Sequence, residues 1–136
     1  MYETLTKYIP LLQSESFGEW IIDTENEGTI EHPLRMPFVA YSDAVYGLID
    51  DVHAFVDEHP DLGLTRYHQI LEASGLSWGM KPMSEADVSS YDSKTVLAML
   101  VGAVRAERFC DGALLGFCSN GSIVRWLQRL QELERE

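Results

Sequence analysis

The chain has 136 residues, a formal net charge of −12 and an apolar content of 46%. A chain of this length can bury a substantial core without disulfides or metals, so we expect one globular domain over residues 1–136. No apolar run approaches the ~20 residues that cross a bilayer, and the N-terminus has no signal-peptide core. These features predict a cytoplasmic protein without a membrane segment.

The negative charge and the cysteines narrow the class further. Residues 1–91 hold 4 basic and 16 acidic residues, whereas residues 92–136 hold 6 of each. The negative field of the first two-thirds of the chain is therefore expected to repel nucleic acid and anionic lipid. If one helix carried both Cys110 and Cys118, they would lie ~12 Å apart, too far to bond. We predict two reduced, buried thiols.

The first segment predicts a short helical region and then a small β-hairpin. The apolar residues of the helical region are Leu5, Tyr8, Ile9 and Leu12, and Pro10 interrupts it. A short strand is predicted over Phe17–Asp23, followed by a polar turn at Thr24–Gly28. Pro33 and Pro37 restrict the second strand to a few residues. An antiparallel hairpin near Trp20–Tyr41 is therefore plausible.

Two helices are predicted in the middle of the chain. Ser42 or Asp43 caps the first, and His59-Pro60 ends it. Its apolar stripe consists of Val45, Leu48, Ile49, Val52, Phe55 and Val56. Thr65 is predicted to cap a further helix that Ser74-Gly75 closes. A short turn is expected at Ser84–Val88.

The last segment, Asp92–Leu133, predicts three helices joined by tight turns. Asp92 or Ser93 caps the first, Asp111-Gly112 breaks the chain before the second, and Asn120-Gly121 precedes the third, which Ser122 or Ser119 caps. The first stripe is Val96, Leu97, Leu100, Val101 and Val104, and the last is Ile123, Trp126, Leu127, Leu130 and Leu133. Helices joined so closely must pack against one another.

One charged cluster, formed by Arg105, Glu107, Arg108 and Asp111, follows the first of these stripes. At ~100° per residue, Glu107 and Arg108 continue the buried face, so both are predicted to be mostly buried and hydrogen-bonded. The cluster fits a ligand site for a carboxylate or phosphate, with arginine as the fork donor. It also fits a structural network, in which Glu107 pairs with Arg108 or with the amides that start the next helix. We favour the structural network.

Other candidate sites have weaker support. Asp50, His53 and Asp57 lie along one helix flank without a zinc signature, which favours a solvated surface. The tail has the outline of a helix-turn-helix with Arg125 and Arg129 outward, but two basic residues are few for DNA. No catalytic motif is present. We therefore predict no catalytic residue, no metal site and no cofactor.

A family resemblance rests on the same C-terminal segment. The run VRAERFCDG, then Gly121 and IVRWLQRL, resembles a small bacterial domain of unknown function, family 6508. The resemblance is clearest over Asp92–Leu133, and LTKYIP and FGEW fit it more loosely. It implies a bacterial, stand-alone or accessory domain. It implies no reaction and no functional residue.

Together these patterns predict a mainly α domain of about five to six helices, with a small antiparallel hairpin. We expect a non-enzymatic interaction or regulatory module whose partner is a protein or a small molecule. One alternative is a ligand-binding protein or enzyme using Arg105, Glu107 and Arg108. Another is a DNA-binding regulator. Homodimer formation stays open.

Overall fold

The computed structural model describes residues 2–14, 17–21, 38–110 and 112–135. Its helices are α1 (Glu3–Thr6), α2 (Ile9–Ser14), α3 (Asp43–Glu58), α4 (Tyr67–Ala73), α5 (Met80–Glu85), α6 (Ser93–Ala106), α7 (Ala113–Ser119) and α8 (Ser122–Arg135). Strands β1 (Gly18–Ile21) and β2 (Phe38–Tyr41) form one small sheet. The mainly α prediction is confirmed. The predicted helix number was lower because it treated α1 and α2 as one helix and did not include α5.

The hairpin prediction is also confirmed. Strand β1 pairs with β2 in antiparallel register, with Gly18 opposite Tyr41 and Ile21 opposite Phe38. The first strand begins at Gly18, one residue after the predicted start at Phe17, and the predicted end at Asp23 lies outside the described residues. The predicted turn at Thr24–Gly28 and the two prolines before β2 lie outside the described residues.

Helix caps agree with the sequence at some termini and differ at others. The Ser42 hydroxyl accepts from the Val45 amide at the start of α3, and the Asp92 carboxylate accepts from the Thr95 amide at the start of α6. The prediction for Thr65 was wrong, because residues 64–66 form a 3-10 turn and the residue before α4 makes no side-chain cap. Before α8, the side-chain oxygen of Asn120 accepts a hydrogen bond from the Ser122 amide at 3.0 Å, in place of the predicted cap by Ser122 or Ser119.

Helix α6 lies at the centre of the hydrophobic core and contacts α3, α4, α7 and α8. Its residues 95–104 are all buried, so the predicted stripe was too narrow. A helix surrounded by other helices buries its whole circumference. Trp126 of α8 is fully buried, and its indole N–H has no hydrogen-bond partner among the described residues.

The N-terminal turn is fixed to α3 by a polar contact. The Tyr8 hydroxyl donates to Asp51 at 2.5 Å, and the Lys7 ammonium lies 3.2 Å from the same carboxylate oxygen. Burial, together with the hydrogen bond and charge of Asp51, raises the pKa of Tyr8 to about 12. The hydrogen bond from Tyr8 lowers the pKa of Asp51. In the described part of the chain, no helix is both long and apolar enough to cross a bilayer.

Candidate functional site

The chain turns sharply between α6 and α7, where the predicted charged cluster lies. Helix α6 ends at Ala106, and the amides of Phe109 and Cys110 both donate to the Ala106 carbonyl, at 3.1 and 3.0 Å. Gly112, the residue immediately before α7, has a φ of 89°, a left-handed conformation that favours glycine. Since glycine has no side chain, the capping group for α7 must come from another residue.

Glu107 supplies that group. One carboxylate oxygen of Glu107 accepts from the Leu114 amide at 3.0 Å, and both oxygens accept from the Gly112 amide at 3.1 Å. The Tyr41 hydroxyl donates to Glu107 at 2.6 Å and accepts from the Leu115 amide at 3.0 Å. A carboxylate and a phenol from two other elements therefore satisfy amides that α7 would otherwise leave unpaired.

Burial and the neighbouring Glu107 raise the pKa values of two groups beside this network. Burial raises the pKa of the Tyr41 phenol far above its usual value, and the hydrogen bond and charge of Glu107 raise it further. Burial, with a smaller effect of the Glu107 charge, raises the pKa of the Cys118 thiol to about 12. Both groups are therefore neutral near pH 7, and neither supplies an anionic nucleophile.

The arginines of the cluster do not join this network. Arg105 is partly buried and Arg108 is exposed, so the predicted burial of Arg108 was wrong. The reason is local, since α6 ends one residue before Glu107 and the turn takes Arg108 away from the helix face. Within the described residues, no hydrogen bond or ion pair links Glu107 to either arginine. Asp111 lies outside the described residues.

An apolar cavity of about 520 Å³ opens beside the same turn. We call it the apolar groove, and its lining residues are Trp78, Gly79, Met80, Ala106, Phe109, Cys110, Gly112, Ala113 and Phe117. None of these described lining residues is charged. The Trp78 and Phe109 rings meet edge to face with centroids 6.1 Å apart, and Phe109 is 76% exposed. An aromatic side chain this exposed is a feature of binding surfaces.

At three glycines, a large side chain packs directly against the backbone, in space that a Cβ would occupy. The Trp78 indole N–H donates to the Gly102 carbonyl at 3.0 Å, and a Cβ added at Gly102 would lie 3.1 Å from the Trp78 ring. A Cβ at Gly116 would lie 2.6 Å from the Met80 methyl, and one at Gly112 would collide with the Trp20 ring. The groove was missed in the sequence because Trp78 and Met80 lie in a segment without periodicity. The glycines at 102, 112 and 116 are visible in the sequence, but they point to the groove only once the side chains above them are known.

The two cysteines differ in solvent exposure, and the exposed one lines the groove. Cys118 is buried, as predicted, whereas Cys110 is exposed, so the prediction of two buried thiols was wrong. Cys110 follows the end of α6 and lies in the turn, where the chain no longer continues a buried helical face. Both cysteines are unbonded thiols.

The arginines of α8 contact the chain itself. Arg125 donates to the Ser84 carbonyl at 2.8 Å, at the end of α5. Arg129 donates to the Tyr91 carbonyl at 3.2 and 3.1 Å. Both side chains therefore hold residues 84–91 against α8, a segment that includes the end of α5 and that we call the α5–α6 connection.

The acidic flank of α3 gives no metal geometry. Asp50 is exposed, as are His53 and Asp57. Among the described residues, no group of three or more histidine, cysteine or acidic side chains is placed to hold a metal ion.

Comparison with known proteins gives a family but no activity. The model of a family of unknown function, DUF6508, matches residues 2–136. The chain belongs to DUF6508. The match extends the resemblance seen at Asp92–Leu133 to nearly the whole sequence. No curated protein and no solved structure matches this DUF6508 chain.

Proposed function

We propose that this DUF6508 chain is a non-enzymatic interaction module, a single domain of the bacterial cytoplasm, and that its binding surface is the apolar groove. The observation that carries the proposal is the exposed Phe109 ring at the edge of the 520 Å³ cavity. Trp20, whose ring lies against Gly112, and Met80, whose side chain lies against Gly116, are also exposed, by 46% and 39%. Water-exposed apolar side chains beside a concave surface are typical of a binding site.

The geometry of Glu107 supports a structural role rather than a catalytic one. Its carboxylate accepts four hydrogen bonds from two backbone amides and the Tyr41 hydroxyl. A general base needs a lone pair directed at a substrate proton, and these lone pairs face the start of α7. We therefore assign Glu107 to the support of the groove wall, since Gly112 and Ala113 line the groove.

The proposal is tested by thermal unfolding of the purified chain in extracts of its source cells. The extract is divided into a small-molecule fraction and a macromolecular fraction, and each is added separately. We expect one fraction to raise the Tm of the wild type, because a ligand that binds only the folded state stabilises it. The rise should disappear in Phe109→Ser and persist in Arg108→Gln, which alters the charged cluster at an exposed residue that does not line the groove.

The two variants are matched so that each hypothesis has its own signature. Phe109→Ser removes an exposed ring and should leave the Tm without extract nearly unchanged. A rise in Tm that survives Phe109→Ser and disappears in Arg108→Gln would contradict the proposal and favour a ligand site at the charged cluster. The absence of any rise in either fraction would also count against an interaction module.

A further inference from the structure

The chemistry of the apolar groove narrows the class of ligand, an inference that rests on the proposed function. Its volume of about 520 Å³ falls in the range of roughly 300–1,000 Å³ that is typical of small-molecule sites. Its walls come from three directions: Trp78 and Met80 before and on α5, the end of α6, and α7. A concave site of this size fits a small molecule better than a flat protein surface.

The lining disfavours a charged ligand. None of the described lining residues carries a charge, and the one indole N–H donor, on Trp78, is already bonded to the Gly102 carbonyl. A charged group that entered the groove would lose its hydration without gaining a partner. The net charge of −12 adds a long-range repulsion against anions.

The aromatic side chains favour a planar ring. The Trp78 and Phe109 rings contact each other edge to face at 87° and so form a perpendicular aromatic corner, in which a ligand ring can stack on one of them and meet the other with its edge. Phe117 is buried at the base of the groove, and the flexible Met80 side chain lies at its rim. Methionine adapts to ligands of different outline and makes favourable contacts with aromatic rings.

We propose that the apolar groove binds an uncharged, largely apolar small molecule that contains a planar ring system. The test uses two dyes with the same rings, the neutral N-phenyl-1-naphthylamine and its anionic sulfonate, 8-anilinonaphthalene-1-sulfonate. Fluorescence titration should give a Kd for the neutral dye lower by about tenfold or more, because the sulfonate meets no cation among the described lining residues.

A matched pair of variants locates the dye. Ala113→Phe fills the groove, whereas Ala54→Phe makes the same change on the exposed side of α3. Neutral-dye affinity should fall at least about tenfold in the first and stay within about twofold in the second. If Ala113→Phe fails to fold, Phe109→Ser takes its place.

The two thiols provide a readout that needs no variant. Cys110 is exposed in the groove and should react with N-ethylmaleimide, whereas buried Cys118 serves as the internal control. Saturating neutral dye should slow the reaction of Cys110 at least severalfold. Equal affinities of the two dyes, or unchanged Cys110 reactivity at saturation, would overturn the ligand assignment.

The extract experiment separates the two proposals. A Phe109-dependent rise in Tm that comes only from the macromolecular fraction would keep the interaction module and reject the small-molecule ligand. If neither fraction raises the Tm while the neutral dye binds strongly, the interaction module is contradicted and only the chemical preference of the groove is supported.

Discussion

At the scale of single residues, Glu107 supplies the cap that Gly112 lacks. Gly112 gives the backbone a φ of 89° but has no side chain, so the α7 amides depend on a carboxylate five residues earlier. Tyr41 joins the same group from β2, so one side chain links the hairpin, α6 and α7. Glu107 therefore contributes to the packing of three elements, whereas an ordinary helix cap stabilises one.

Replacing Glu107 tests this role. Glu107→Ala leaves two backbone amides and the Tyr41 hydroxyl without their acceptor, and we expect a loss of ~3 kcal/mol in the free energy of unfolding. Glu107→Gln keeps one acceptor oxygen and should lose less. Urea denaturation provides the measurement, and Glu72→Ala, at an exposed glutamate of α4, is the control expected within ~0.5 kcal/mol of wild type. A Glu107→Ala variant as stable as the control would contradict the capping role.

At the scale of elements, α6 is the central helix of the core, against which α3, α4, α7 and α8 pack. Leu100 is 1% exposed at its centre, whereas Leu11 of α2 is 39% exposed. Leu100→Ala should therefore cost ~2–5 kcal/mol through lost transfer energy and a residual cavity. Leu11→Ala makes the same chemical change at the surface and should cost under ~1 kcal/mol. Equal losses in urea denaturation would mean that α6 is not the central helix.

The elements that the sequence predicts well have a clear period or a capping residue. The apolar stripes predicted the buried helices α3, α6 and α8, and two of the proposed caps, Ser42 and Asp92, mark the starts of α3 and α6. The direction of one helix face predicted the burial of Glu107, and the amides at the start of α7 were one of its two proposed partners, Arg108 being the other. Arg108 was misplaced because that direction applies only while the helix continues, and α6 ends at Ala106.

The groove could not be predicted for a different reason. Its residues come from the segment before α5, the end of α6 and α7, and no local pattern relates Trp78 to Phe109. Contacts between segments so distant in sequence depend on how the helices cross. The glycines at 102, 112 and 116 become informative only when the side chains above them are known. A similar limit applies to the α5–α6 connection, which Arg125 and Arg129 hold by backbone carbonyls.

At the scale of the whole molecule, the distribution of charge and the contacts of α8 bear on nucleic acid. All of the net negative charge lies in residues 1–91, and the two arginines of the helix-turn-helix alternative donate to carbonyls of their own chain. A DNA-binding protein needs several free cations to neutralise phosphates.

We therefore predict that duplex DNA binds with a Kd weaker than ~1 µM near physiological salt. Fluorescence anisotropy of a labelled duplex at two salt concentrations provides the measurement. Arg125→Ala and Arg129→Ala should lower thermal stability, since each frees a carbonyl of the α5–α6 connection, and should leave DNA affinity unchanged. Submicromolar binding that weakens in both variants and falls steeply with salt would instead identify α8 as a recognition helix, because only then would these cations contact phosphate rather than the chain itself.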